Sequence, residues 1–303
     1  MVDHERARTL SRRGVLLAAG SSVLVGCTGK GGPNSTTSPG GSESSDTPAG
    51  SPSSAESSPA GPTLPAVERW QPSPGDLEPE CKLAAVRHLE ELGNGPRIAT
   101  QVIMAQYGGL LADSASVLVP CRSWRLLRRR VAEGGRTYDV RLTRVSASRW
   151  RVTGVRPSRP GPPLAKPSTL AQEVVTHDRI DLPPAARADV LSGQIHDAVL
   201  STMLVLAKPY RIGVSVLRSG HPTYVFGTDR LSDHPQGLAF DTWRINDRAV
   251  VDPDTPERLV TAFMRAAAEA GSDNVGGPYL LGAAPQFFSD DTHHDHVHAG
   301  FPG

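Results

Sequence analysis

The sequence predicts an α+β fold, because it combines amphipathic helices with a few short strands that are expected to pair antiparallel. Apolar residues recur at helical spacing over 83–92 and over 185–208. Polar and apolar residues alternate over 137–142 and 149–152 around a short Ser-Ala-Ser turn, which is typical of a β-hairpin. A last alternating segment, 296–301, predicts a strand close to the C-terminus.

The first 27 residues predict a Tat-type lipoprotein signal peptide. Arg12-Arg13 precedes an apolar run that ends at Gly26-Cys27 and is shorter than the roughly 18–20 residues that cross a bilayer. Leu24 to Cys27 resembles a lipobox, so Cys27 is expected to carry the lipid that anchors the chain at the outer face of the cytoplasmic membrane. An uncleaved N-terminal anchor is the alternative.

Residues 28–63 consist mainly of Ser, Thr, Gly and Pro, and we expect a disordered tether there. A second Pro-rich segment, 157–167, predicts a linker between one domain at 64–156 and another at 168–303. The net charge of +1 argues against a nucleic-acid partner, and the one dense basic run, 128–130, is expected on a solvated helix face.

The first domain is predicted to be a small α+β domain, with a helix that ends at Gly93 before the hairpin. This pattern resembles cystatin-like or NTF2-like domains, and it contains no evident chemistry, so it would be a spacer or a module that binds a protein partner. Cys81 and Cys121 are an even pair in an exported chain, which predicts a disulfide; two separate buried thiols are the alternative.

The second domain is expected to begin with the long helix at 185–208. Strands are predicted at 213–217 and 239–245, followed by a helix over 256–270 with Thr255 as its N-cap.

Histidines cluster in this domain, where four of the ten in the chain lie within 293–298. His296 and His298 alternate on one strand, so their imidazoles are expected on the same face. His234 precedes the strand residue Asp241 by seven positions, and Gly237 permits the loop between them to turn tightly. The loop imidazole, the strand carboxylate and one imidazole of the C-terminal strand would supply two nitrogens and one oxygen to a single zinc ion, with a fourth position left for water.

His-x6-Asp followed by a distant Asp-x-x-His resembles the LAS zinc peptidases, which include D-alanyl-D-alanine carboxypeptidases, murein endopeptidases and the similar fold of Hedgehog domains. The resemblance covers about 211–301. It implies that His234, Asp241 and His298 hold the zinc ion. It also implies that Asp295 and His296 are catalytic residues and that His293 contacts substrate. It also implies a zinc-dependent hydrolase that acts on the peptides of peptidoglycan.

The chain departs from this family at the segment that binds substrate, where Arg218-Ser219-Gly220-His221 replaces a Ser-Gly-Tyr-Arg pattern. Arg218 and Ser219 either bind substrate or face solvent, and Arg230 is a further candidate. The alternative function is a non-catalytic, zinc-containing lipoprotein that binds cell-wall fragments or a protein partner.

Overall fold

The computed structural model describes residues 61–303, so the predicted signal peptide, Cys27 and nearly all of the predicted tether lie outside the described residues. Helices and strands mix in this part of the chain, in agreement with the α+β class. Within the same residues, no helix is long and apolar enough to cross a membrane.

The first sheet contains five antiparallel strands, which are β1 (Ile98–Val102), β2 (Gln106–Leu110), β3 (Ser114–Leu126), β4 (Val131–Ser146) and β5 (Arg149–Pro157). Their order is β1-β3-β4-β5, and β2 pairs with β3 beyond the end of β1. The predicted hairpin is present as β4 and β5.

Helix α1 (Pro79–Gly93) packs on the first sheet and buries Cys81, Val86 and Leu89 against it. Proline at its first turn needs no hydrogen-bond partner for a backbone N–H, which suits the start of a helix. Lys82 on this helix is also fully buried, which is unusual for lysine and requires a charged partner.

The second sheet has seven strands, with the order β11-β10-β12-β8-β7-β6 and β9 beside β8. The strands are β6 (Ile180–Asp181), β7 (Ile212–Val214), β8 (Ala239–Ile245), β9 (Arg248–Ala249), β10 (Asn274–Gly276), β11 (Phe287–Phe288) and β12 (Val297–Gly300). The three strands predicted in this domain correspond to β7, β8 and β12, and β7 and β12 both pair antiparallel with β8, as expected. Two further pairs, β6 with β7 and β10 with β11, are parallel. β11 and β6 lie at the two edges of the sheet, and β10, β12, β8 and β7 form its antiparallel centre.

Four helices accompany this sheet among the described residues, namely α2 (Thr169–Thr176), α3 (Pro184–Leu191), α4 (Asp197–Ala207) and α5 (Glu257–Glu269). They share one apolar core with the sheet, in which Met203, Phe240 and Phe263 are completely buried.

Three local predictions were wrong. The helix expected over 185–208 is two helices, because the chain turns at Gly193 with a φ of 71°, a conformation that ends a helix. Thr255 does not cap α5; its hydroxyl donates to the carbonyl of Ala249 at 2.6 Å, and Pro256 holds the cap position. The basic run 128–130 lies in the turn between β3 and β4 rather than on a helix.

Candidate metal centre

The loop after β7 and the two central strands bring three candidate ligand atoms to one point. His234 Nε2 lies 3.1 Å from Asp241 Oδ1 and 3.1 Å from His298 Nδ1, and the last two atoms are 3.0 Å apart. Asp241 and His298 face each other because β8 and β12 pair with Asp241 opposite His298. All three residues are buried.

The backbone around His234 fixes which of its ring nitrogens faces the site. His234 lies in a short 3-10 turn, His234–Gln236, which Gly237 ends with a φ of 77°. Its Nδ1 is 2.7 Å from the carbonyl of Leu217, which can only accept, so Nδ1 carries the proton. The lone pair of Nε2 is therefore directed at Asp241 and His298, as metal binding requires.

The charges of the triad also suit a cation. Burial disfavours the charged form of Asp241, but His234 and His296 outweigh burial and hold the pKa of that carboxyl well below its usual range. Burial lowers the pKa of His298 to about 4, against the opposing effect of Asp241, so its imidazole is neutral near pH 7. An ionised carboxylate and neutral imidazoles are the forms that bind metals.

His221 is a further histidine at this point. A ligand atom of His221 lies within 4.8 Å of those of His234 and Asp241, so these three residues could also hold a metal ion. The ring of His221, however, is stacked on that of His234, with centroids 4.1 Å apart and an angle of 18° between the planes. The lone pairs of an imidazole lie in the plane of its ring, and two nearly parallel, stacked planes do not meet close to the rings, whereas the ligands of one metal must converge. His298 therefore fits the third position better.

His296 lies directly beside the triad. Its Nε2 is 3.7 Å from Asp241 Oδ1, and its Nδ1 is 2.6 Å from Asp295 Oδ1. Burial opposes a charge on His296, but the two carboxylates outweigh it and raise the pKa of the imidazole above its ordinary value.

Asp295 does not lie where a carboxylate that contacts substrate is expected. Its Oδ1 accepts from His296, while its Oδ2 is 2.6 Å from the ammonium of Lys82 and accepts from the backbone N–H of Tyr107 at 3.0 Å. The residue is 2% exposed and does not line the cleft. Asp295 therefore acts on the site through His296.

A second acidic group, formed by Asp76, His294 and Asp295, has the spacing of metal ligands, but a buried lysine already lies between its two carboxylates. Lys82 Nζ contacts a carboxylate oxygen of both aspartates. Both nitrogens of His294 are also engaged, one with the N–H of Leu77 and the other with the carbonyl of Asp291. This group is an internal ion pair rather than a metal site.

A cleft of about 630 Å³ opens onto the triad. One wall is β2, where Gly109 packs so closely on Phe226 that a Cβ would lie 2.1 Å from that side chain. Phe288 and His293 also line the cleft. The ring of His293 lies 5.2 Å from that of His296, and its Nδ1 is held by Asp290 at 2.7 Å.

Of the two arginines and one serine that were candidates for binding substrate, only one lies in the cleft. Arg230 lines the cleft, whereas Arg218 and Ser219 do not. The backbone N–H groups of Arg218 and Ser219 both donate to the buried carboxylate of Asp189, at 3.3 Å and 2.8 Å, which holds this segment against α3. Arg218 lines a separate hollow beside Gln194.

Three residues of the site were not found from the sequence, namely Lys82, Gln106 and Tyr107. They belong to the part of the chain for which no chemistry was expected, and only their contacts across the fold reveal them. Gln106 Nε2 donates to Asp241 Oδ2 at 2.7 Å, across 135 positions of sequence. The first domain therefore contributes residues to this site, although no chemistry was expected in it.

Cys81 and Cys121 are free and buried thiols in the structure, whereas a disulfide was expected. Both pack in the apolar core between α1 and the first sheet. Burial raises the pKa of each thiol to about 12, which stabilises the protonated form.

No family model matches the chain, and comparisons with curated proteins and with solved structures also return no match.

Proposed function

We propose that this chain is an exported zinc peptidase of the LAS type, with a Hedgehog-like or D-Ala-D-Ala-peptidase-like domain, that hydrolyses peptide bonds in the stem peptides of peptidoglycan. The observation that carries the proposal is the convergence of His234 Nε2, Asp241 Oδ1 and His298 Nδ1 within 3.1 Å of one another. Two imidazoles and one carboxylate are the ligand set of open catalytic zinc sites.

In this proposal His234, Asp241 and His298 hold one zinc ion. Zinc, when bound, supplies Lewis-acid chemistry, since it lowers the pKa of water toward about 7 and polarises a carbonyl group. Because the triad is buried, charges interact more strongly there than they would in bulk water.

His296 is the proposed acid–base residue. Its Nε2 is beside the triad, and Asp295 holds Nδ1, so the ring keeps one orientation and one tautomer. Nε2 would take a proton from the attacking water as the C–O bond forms, and would return it to the leaving nitrogen as the C–N bond breaks. Asp295 would stabilise the imidazolium between these steps, as a carboxylate behind a histidine does in other hydrolases.

Substrate would enter the cleft that opens onto the triad. Arg230 is exposed there, and its planar guanidinium fits the carboxylate of a peptide. Phe226 and Phe288 offer apolar surface in the same cleft. The N-terminal sequence supports export by Tat and an anchor at Cys27, which would place the cleft near the cell wall.

The second candidate is a zinc-containing lipoprotein that binds wall fragments or a protein partner without cleaving them. One observation favours it: both oxygens of Asp295, the carboxylate expected to be catalytic, are engaged away from the cleft. The peptidase proposal requires that His296 transfer protons without a carboxylate in the cleft, whereas the binding proposal does not.

The test is incubation of the zinc-loaded protein with purified peptidoglycan, followed by mass analysis of the released fragments. We expect fragments from the wild type and none in the presence of a chelator. His296→Gln should abolish release while zinc content stays near one per chain. His294→Gln is the matched control, because His294 has both nitrogens engaged outside the cleft, and it should keep activity. Zinc binding without any fragments would favour the binding lipoprotein.

A further inference from the structure

A strand of the first sheet reaches the buried side of the metal site. β2 pairs with β3 along one edge, and Gln106 lies opposite Leu118 in that pair. Its other edge meets the segment that carries the C-terminal histidines, where the N–H of Tyr107 donates to Asp295 and that of Leu110 donates to Thr292. These bonds dock β2 against the site and leave the side chain of Gln106 directed at Asp241.

The two oxygens of Asp241 have different partners. Oδ1 lies 3.1 Å from His234 Nε2 and 3.0 Å from His298 Nδ1, whereas Oδ2 accepts from Gln106 Nε2 at 2.7 Å. An amide oxygen cannot face a carboxylate oxygen at that distance without repulsion, so the amide must present its NH₂ group. Gln106 therefore occupies the oxygen of Asp241 that does not belong to the triad.

Packing alone does not explain glutamine at this position. Gln106 is completely buried, and its Oε1 has no hydrogen-bond partner within residues 61–303. A buried amide with an unsatisfied oxygen costs stability, and an apolar side chain of the same length would avoid that cost. What the amide provides is the single bond to Asp241.

We propose that Gln106 is a positioning residue for the metal, which restricts Asp241 to one metal-facing oxygen. This inference rests on the proposed zinc site and extends it, because it makes the first sheet a component of the metal centre. Because Gln106 holds Oδ2, Asp241 would bind the metal through Oδ1 alone. One coordination position of the metal would then stay open beside His296. Outer partners of metal ligands act in this way on the orientation and affinity of the ligands they contact.

The experiment compares the metal affinity of the full chain with that of Gln106→Met, which keeps the length of the side chain and removes the donor. Zinc Kd is measured by competition with a chromogenic chelator. We expect a Kd about 10–100-fold higher for Gln106→Met, the range found when outer partners of ligands are removed. Gln101→Met is the matched control, because Gln101 belongs to β1 and bonds the backbone of Glu68 and Val102 away from the site. Its Kd should equal that of the wild type.

The spectrum of the cobalt-substituted protein separates positioning from a loss of folding. Four-coordinate cobalt absorbs visible light more strongly than five- or six-coordinate cobalt. Gln106→Met should therefore give weaker visible bands than the wild type, because Asp241 becomes free to bind through both oxygens. A variant that only lost stability would show a lower unfolding temperature in chelator and an unchanged spectrum once loaded, and that outcome would overturn the proposal.

Other outcomes are equally decisive. An unchanged zinc Kd for Gln106→Met would overturn the proposal, and so would a wild type that binds no zinc. A third outcome separates the two proposals: the wild type binds zinc, Gln106→Met binds zinc more weakly, and neither protein cleaves peptidoglycan. In that case the peptidase function is wrong, while the role of Gln106 at the metal is confirmed.

Discussion

The ammonium of Lys82 lies 2.6 Å from Asp295 Oδ2, and both side chains are 1% exposed. This contact joins α1 to the turn that precedes β12, so it crosses between the first and the second sheet. Asp76 contacts the same ammonium, and the ring of Tyr107 lies 5.0 Å from it. Two carboxylates and an aromatic face compensate the desolvation of one lysine, and Asp295 in turn holds His296.

Lys82→Met should therefore destabilise the protein strongly. It removes the one cation from between Asp76 and Asp295 and leaves two buried carboxylates uncompensated, which costs about 3–5 kcal/mol in comparable buried pairs. Urea unfolding in chelator measures the change. Lys166→Met is the control, because Lys166 is exposed, and it should change the free energy of unfolding by less than about 0.5 kcal/mol. A loss below about 1 kcal/mol for Lys82→Met would contradict the buried ion pair.

The same ion pair predicts a dependence of stability on pH. Burial opposes the charge of Asp295, but Lys82 outweighs it and holds the pKa of this carboxyl far below its ordinary value of about 4. A depressed pKa in the folded state means that the contribution of Asp295 to stability is complete above the ordinary value and is lost as the pH falls. The wild type should lose more stability between about pH 5 and pH 3 than Lys82→Met does. Urea midpoints at the two pH values test this, and equal losses in both proteins would contradict it.

Local signals in the sequence predicted the loop histidine, the strand aspartate and the alternating C-terminal histidines, and the family resemblance selected His298 as the third ligand. His-x6-Asp places a loop histidine before a strand aspartate, and alternation places His296, which directly precedes β12, on the same side as His298. Strand β8 appears within the predicted bounds for the same reason, since its apolar residues alternate or run continuously over 239–245. Periodicity and spacing within ten residues are sufficient for such features.

The remainder of the site depends on contacts that no local pattern encodes. The helical pattern predicts that Lys82 is a polar residue on the solvent-facing side of α1. In the structure it is buried against Asp295, which lies more than 200 residues later in the chain. Gln106 lies in a short strand that the sequence did not predict, and its partner is 135 positions away. The break between α3 and α4 was missed because the apolar pattern continues through Gly193.

Substitutions can decide whether His298 or His221 is the third ligand of the proposed zinc site. His298→Ala should abolish stoichiometric zinc binding, because Nδ1 of His298 lies 3.0 Å from Asp241 Oδ1. His221→Ala should raise the zinc Kd less than tenfold, since the ring of His221 is stacked on His234 instead of converging with it. Isothermal titration measures both. A large loss for His221→Ala would indicate four protein ligands and a closed, structural site, and would weigh against the peptidase function.

Cys81 and Cys121 allow the packing of the core between α1 and the first sheet to be tested without a metal. Burial raises the pKa of Cys81 and Cys121 to about 12, so at pH 8 only about one thiol in 10⁴ is ionised, and only the thiolate reacts with alkylating agents. In a Cys27→Ser protein we expect no labelling of the native state at pH 8 and two labelled thiols after unfolding in denaturant. Reactivity should rise with pH only as the pH approaches 12 or the fold opens. Two thiols that label in denaturant only after reduction would instead indicate the disulfide.

Gly237 connects the first two ligands of the triad, and its substitution tests how tightly that loop is held. Its φ is 77°, and a Cβ would lie 2.0 Å from the carbonyl oxygen of Gln194. The left-handed conformation alone costs about 1–2 kcal/mol for a residue with a side chain, and a backbone atom cannot move aside as a flexible side chain can. Gly237→Ala should therefore destabilise the protein by more than that amount.

The loop has to shift to accommodate the methyl group, so Gly237→Ala should also weaken zinc binding by moving His234 away from Asp241. The control is Gly134→Ala, since a Cβ at Gly134 meets nothing within 4 Å, and it should leave both properties unchanged. Urea unfolding in chelator and the zinc Kd are measured for both variants. A Gly237→Ala protein with the stability and zinc affinity of the wild type would mean that the loop tolerates displacement, and that the short distances between the ligand atoms do not depend on this turn.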